Sequence, residues 1–225
     1  MSKVKAVICA CRTIEDEINF VLKENSIDIP VIYMEAGLHE KPANLKSALQ
    51  ETIDGVDDVD FILLGYALCG NGLLGLSSKN ATLVLPQYHD CLAILLGSDE
   101  RYRACLGTKM GAFFLTRGWM EHFNPKQKLY EVMVPKFGHE KALRFAKLVL
   151  VNYKRFALIE TEAYDRETTF REMEELAHFF DLQTHRMQGT LDVLRKLVKA
   201  EWDEKFQVIP LGREIKIWDL SGEQA

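Results

Sequence analysis

Several kinds of segment are missing from this 225-residue chain. No apolar stretch approaches the roughly 20 residues that cross a bilayer as a helix, so no membrane-spanning role is expected. The opening MSKVKAVICAC has neither the long apolar region nor the cleavage site of a signal peptide, and a cytoplasmic location is expected. Charge of one sign is scarcely in excess. The formal net charge is -5, which gives no reason to expect a nucleic-acid partner. No CxxC pair and no HExxH motif names a metal site outright. Cysteine is sparse and odd in number: Cys9, Cys11, Cys69, Cys91 and Cys105. Five cysteines in a long chain without an export signal do not suggest a disulfide framework. The thiols are left as core residues, nucleophiles or metal ligands, and inert packing is the ordinary fate of any one buried cysteine.

What is present is ordinary globular material, with 48% hydrophobic and 27% charged residues, enough to bury a sizeable core. Strand-like and helix-like segments alternate. Residues 4–10 (VKAVICA), 29–35, 60–66, 81–86 and 111–116 read as strands. Residues 13–25, 44–53 and a segment from Cys91 onward read as helices. Thr13 with Asp16 resembles a capping box. After a less regular middle, residues 155–160, 182–187 and 206–210 read as strands, with 214–219 as a short last one, and 140–153, 167–180 and 190–200 as helices. The expected fold is α/β, a mostly parallel sheet with flanking helices arranged as two Rossmann-like lobes around a cleft. Expected boundaries are a lobe over 1–116 carrying the Cys and His motifs, a helical connection over 117–154 and a smaller lobe over 155–225. One continuous sheet is the alternative.

In open α/β sheets the ligand crevice lies beyond the carboxyl ends of the strands. Cys11, Cys69 and Cys91 each follow a strand, and His39 and His89 fall at strand ends as well. Cys11 and Cys91 also adjoin helix starts, whose N–H groups and partial positive charge favour thiolate over thiol. One rim is therefore expected to gather Cys11, Cys69 and Cys91 as ligands of a zinc ion or iron–sulfur cluster. His89, His39 and Asp90 are the candidate acid–base groups. Cys9 is assigned to the core, with its thiol expected to point away from that of Cys11, and Cys105 is assigned to the core too. Two other readings stay open. Thiol chemistry without metal would use Cys91 with His89 as nucleophile and base, or Cys11 and Cys69 as a redox dithiol. A binding module would use CGNGLLGLSS (69–78), where Gly70 and Gly72 let the backbone approach a ligand. That stretch is read as neither a dinucleotide fingerprint nor a P-loop, a tight turn being the plainer account. Glu160, Glu162, Tyr164 and Asp165 follow a strand of the second lobe and face either the cleft or solvent.

The motifs FILLGYALCGNG, HDCLAILLGSDERY and TRGW, with AVICACRTIEDEI and GLHEKP, resemble a prokaryotic domain-of-unknown-function family, number 1638. The resemblance runs from about residue 4 to 216. Ala67 stands where that family more often has Gly. The resemblance implies that Cys11, His39, Cys69, His89, Asp90, Cys91 and Tyr102 hold the family's positions. It also implies an anaerobic setting, in bacteria and methanogenic archaea, near corrinoid-dependent methyltransferases for methylated amines. A [4Fe-4S] cluster is then expected ahead of zinc. The expected partners are a small molecule in the inter-lobe cleft and corrinoid methyltransferase components. No DxHxxG-type motif is present, so direct carriage of cobalamin is not expected.

Overall fold

A computed structural model describes residues 5–107 and 111–221. The chain order is β1 (Ala6–Cys11), α1 (Glu15–Glu24), β2 (Val31–Met34), α2 (Pro42–Asp54), β3 (Phe61–Gly65), β4 (Thr82–Pro86), α3 (Cys91–Leu96), α4 (Asp99–Gly107) and β5 (Ala112–Leu115). Four short helices follow: α5 (Arg117–His122), α6 (Pro125–Leu129), α7 (Val134–Phe137) and α8 (His139–Val149). Then come β6 (Arg155–Glu160), α9 (Arg166–Phe180), β7 (Gln183–Gln188), α10 (Asp192–Val198), β8 (Phe206–Ile209) and α11 (Trp218–Ser221).

The strands form two sheets. The first has the order β2-β1-β3-β4-β8, the second β5-β6-β7. Every pairing is parallel except β4 with β8, which is antiparallel. The α/β fold class and the mostly parallel sheet agree with the sequence reading. The placement of two strands differs from it. β5 pairs with β6 in the second sheet, and β8 returns to close the outer edge of β4. The sheets are therefore not partitioned by chain position at residues 116 and 155.

Side-chain parity along the strands builds the layers. On β1, Ala6, Ile8 and Ala10 join Ile18 and Val21 of α1, Ile94 of α3 and Leu194 of α10. Ala157 and Ile159 of β6 belong to that same cluster. Helices α1, α3 and α10 thus fill the space between the two sheets, and one core serves both. The opposite face of β1, with Val7, Cys9 and Cys11, packs against Leu45, Leu49 and Ile53 of α2. The opposite face of β6, with Phe156 and Leu158, packs against Ala146 of α8 and Met173 and Leu176 of α9. Each fully buried Leu or Ile in these layers contributes ~2 kcal/mol. The expectation that the thiols of Cys9 and Cys11 point apart is corrected here. Residues i and i+2 of a strand share a face, and both look toward α2.

Two local expectations also change. The helix begun at Cys91 stops at Gly97, whose φ of +79° turns the chain, and α4 starts anew. The stretch 214–217 is irregular rather than a strand. There the Asp219 carboxylate accepts bonds from the Arg213 guanidinium at 2.7 and 2.6 Å and from the Lys216 N–H at 2.8 Å, folding the segment into a turn. A groove of about 570 Å³ runs along α5, α6 and α9. Arg117, Lys126, Glu172 and Phe179 line it, and it contains none of the cysteines.

Candidate thiol site at the strand ends

Three strands of the first sheet end in a cysteine-bearing segment. Cys11 is the last residue of β1 and is 7% exposed. The Thr13 hydroxyl, itself buried, donates to the Cys11 sulfur at 3.1 Å. Cys69 opens a 3-10 turn over Cys69–Asn71 beyond β3. Its φ is +44°, a left-handed conformation rarely adopted by a residue with a side chain. Cys91 is the first residue of α3. Its neighbour Asp90 caps that helix by accepting from the Ala93 N–H at 3.0 Å. The loops after β3 and β4 are tied together where the Leu68 N–H donates to the Tyr88 carbonyl at 3.0 Å.

These three positions are electrostatically linked: an ionised Cys11 would push Cys69 up, and an ionised Cys69 or Cys11 would push Cys91 up. Burial is the largest influence on all three. It pushes the Cys69 thiol up to about 12 and those of Cys11 and Cys91 upward as well. The nearby backbone N–H groups of Ala67 and Cys91 act in the opposite sense on Cys69, as does Trp119 on Cys91. The expectation that helix starts would favour thiolate at Cys11 and Cys91 is therefore reversed. A 3-10 turn follows Cys11, α3 is only six residues long, and desolvation outweighs the dipole.

Two aromatic residues that the sequence did not single out for this site complete its walls. Tyr66, one residue past β3, is 3% exposed, and its hydroxyl is buried without a hydrogen-bond partner. Burial is the largest influence on its ionisation, and an ionised Cys11, Cys69, Cys9 or Cys91 would act in the same sense. Trp119 comes from the second sheet, on α5 just after β5. Its indole N–H is buried, short of any full hydrogen bond, and bears on the Cys91 sulfur. Close docking brings it there. A Cβ at Gly118 would lie 2.2 Å from the Thr13 carbonyl oxygen, so only glycine lets α5 sit on the turn that follows Cys11. Thr116 caps α5, its hydroxyl accepting from the Trp119 N–H at 3.2 Å.

The remaining sequence candidates divide. The His39 ring lies tilted beside Trp119, with ring centroids 5.6 Å apart. Burial lowers its pKa, while Glu40 and Asp90 act in the opposite sense. Asp90 also acts on the Tyr102 hydroxyl, which burial and Asp90 together push upward. His89 is not gathered in. Its Nδ1 lies 3.1 Å from Asp99, on a side chain 46% exposed. Gly70 lies within the 3-10 turn. Gly72 meets α2, where a Cβ would lie 2.7 Å from Leu45 Cδ2. Cys9 is core, pushed up to about 12 by burial alone, and Cys105 packs half-buried against the central core.

The glycine stretch needs one correction. Residues 70–75, GNGLLG, do carry the G-x-G-x-x-G spacing. A dinucleotide fingerprint must also open a helix, and the segment from Gly72 to the start of β4 forms none. Among the described residues, no three His, Cys, Asp or Glu side chains stand as a group ready to hold a metal ion. No helix among the described residues is long and apolar enough to cross a membrane.

No curated protein and no solved structure matches the chain. A family model does, over residues 33–198, a span that includes His39, Tyr66, Cys69, Cys91 and Trp119 and begins after Cys11. With most of its length so matched, the chain belongs to the family described as "Protein of unknown function (DUF1638)".

Proposed function

We propose that Cys11, Cys69 and Cys91 hold a metal centre, an iron–sulfur cluster or a zinc ion, with which the protein acts on or senses a small molecule. One observation carries the reading. Three cysteines from three separate strand ends are near enough that ionisation of one bears on the next, although among the described residues they do not stand as a ready-made metal group. Packing alone needs no such gathering. Burial holds these thiols protonated, which makes them poor nucleophiles at neutral pH and weighs against metal-free thiol catalysis. A bound cation reverses that balance, since a coordinating thiol is deprotonated outright. The donor set suits soft metals. The Thr13 hydroxyl and the Cys91 N–H already point at sulfur, as outer-shell donors do. Rotation about χ1 moves each sulfur without moving its backbone, which is the adjustment that binding requires.

When bound, the centre supplies Lewis-acid or electron-transfer chemistry. The chain's own part is to hold the three sulfurs and to exclude water with Tyr66 and Trp119. His39, beside Trp119, would serve as a fourth ligand or proton acceptor. The process, anaerobic one-carbon or methylamine metabolism with corrinoid methyltransferase components as partners, is carried by the family resemblance alone.

Metal analysis and an absorption spectrum of anaerobically purified protein test this. Iron with acid-labile sulfide and a brown colour supports the cluster, and stoichiometric zinc without colour supports zinc. Metal-free protein that folds normally, and that takes up neither on reconstitution, overturns the proposal. The chain would then be a metal-free binding module, whose ligand affinity survives alanine at Cys69 and Cys91.

A further inference from the structure

The groove of about 570 Å³ along α5, α6 and α9 is separate from the thiols, and no cysteine lines it. Its volume falls within the range of small-molecule sites, about 300–1,000 Å³. One wall is a single stripe of α9. Glu175, Leu176 and Phe179 follow Glu172 at helical spacings, so all four share a face. Met120 of α5 adds to the apolar part of the lining.

The charged groups of the groove are of two kinds. Arg117 and Glu121 are already engaged, since the Arg117 guanidinium lies 2.6 Å from Asp16 and 3.2 Å from Glu121. Glu172 and Glu175 are not. Among the described residues, neither carboxylate has an ion pair or a hydrogen bond within the chain. Lys126 is held loosely. Its ammonium group sits 4.8 Å from the centre of the Phe179 ring and 4.0 Å from Glu131, the latter too far for a hydrogen bond. Beside it, Asn124 caps α6. Its side-chain oxygen accepts from the N–H groups of Lys126 and Gln127 at 2.9 and 3.4 Å, and its amide N–H groups remain as donors.

A solvated carboxylate on a helix face needs no explanation by itself. Here the two signs of charge are separated along one groove. Phe179, with Lys126 over its ring, comes seven residues after Glu172 and four after Glu175. At about 1.5 Å of rise per residue, the lysine end lies roughly 6–10 Å along α9 from the carboxylates. Leu176, Phe179 and Met120 supply apolar surface in the groove. A simple cation meets the lysine there, and a simple anion meets the two carboxylates. A molecule with both charges at its ends and an apolar body answers the whole lining.

We propose that this groove binds a small amphipathic zwitterion of the amino-acid class. Its ammonium group lies at Glu172 and Glu175, and its carboxylate at Lys126 and the Asn124 amide. The proposal stands apart from the metal reading and assigns a ligand class to a second site.

The test titrates the full chain, followed by NMR, with ω-aminooctanoate, whose charged ends are held apart by an alkyl chain. Octylamine and octanoate each carry one of those charges. The zwitterion is expected to saturate, to perturb Met120, Leu176 and Phe179, and to bind at least tenfold more tightly than either single-charge probe. Two variants at solvent-facing side chains place the ends. Glu172→Gln with Glu175→Gln should weaken the zwitterion at least fivefold and leave octanoate no weaker. Lys126→Gln should weaken the zwitterion as much and leave octylamine no weaker. Absence of saturable binding by ω-aminooctanoate, a single-charge probe that binds as tightly, or unchanged affinity in either variant overturns the proposal. None of these results bears on the metal content of the thiol rim.

Discussion

The two sheets present their carboxyl ends differently. Beyond β6, most polar groups pair within the chain, although Glu160 Oε1 and Glu17 Oε2 are buried without a hydrogen-bond partner. Glu160 lies 3.2 Å from the Arg186 guanidinium, and Glu162 pairs with Arg195. Asp165 caps α9 by accepting from the Thr168 N–H at 2.8 Å. Tyr164 donates to the Ile159 carbonyl. The one fully buried carboxyl at this rim, Glu17 of α1, accepts from the Thr161 hydroxyl at 3.3 Å. Burial, its largest influence, pushes it up to about 7, so a proton neutralises it. Beyond β1, β3 and β4, burial likewise keeps the thiols protonated, and the Tyr66 hydroxyl is buried without a hydrogen-bond partner. Position at a strand end is common to both rims. What marks one as a candidate site is that three of its strand ends each bring a cysteine.

The largest expected effect separates the rims outright. Cys11→Ala, Cys69→Ala and Cys91→Ala should each reduce bound metal at least tenfold, because one lost thiolate opens the centre to water. Glu162→Gln should leave it unchanged. Equal metal content in all four proteins would erase the distinction. Next comes the buried carboxyl. Glu17 releases its proton near its ordinary 4.5 in the unfolded chain and at about 7 in the folded one. Between those values the folded state binds more protons, so stability is fully present below 4.5 and falls as pH rises through 7, by about 3 kcal/mol in all. Glu17→Gln should lack this component. Urea midpoints at pH 4.5 and 8 should therefore diverge between the two proteins, and parallel midpoints would show that Glu17 titrates normally.

A third change attacks the contact that brings the second sheet to the thiols. Gly118→Ala puts a methyl group into the Thr13 carbonyl, where backbone must yield on both sides. It should cost about 2 kcal/mol and, unlike a remote core variant of equal cost, weaken metal retention. Last, Asp165→Ala should lower stability by about 1 kcal/mol through the lost cap without touching metal binding. A change in metal content there would mean that the two rims are coupled.

Much of the thiol rim was legible in the sequence because strand ends are. An apolar run that stops at small residues fixes where a cysteine leaves the sheet, and Cys11, Cys69 and Cys91 were placed by that signal alone. The aromatic walls were not. Tyr66 looks like one more strand residue, and Trp119 sits over a hundred positions from Cys11, so only tertiary docking reveals their meeting. A Gly two residues after a strand, in TRGW, was the one local sign of close approach. The two histidines show the limit of sequence proximity. His89 lies nearest Cys91 in the chain, but the Asp90 cap fixes the local turn and Asp99 takes the imidazole. His39, far away in sequence, arrives beside Trp119. The misplaced β5 and β8 have a similar cause. A four-residue apolar strand carries no signal of which sheet it joins, or in which direction.

The φ of +44° at Cys69 sets stability against function at a single residue. Glycine adopts that backbone without strain. Cys69→Gly should therefore relax the turn and raise the unfolding midpoint of the metal-free protein while removing one of the three proposed ligands. Selection for thermal tolerance alone, in a library blind to metal, would drift toward glycine at this position and discard the thiol.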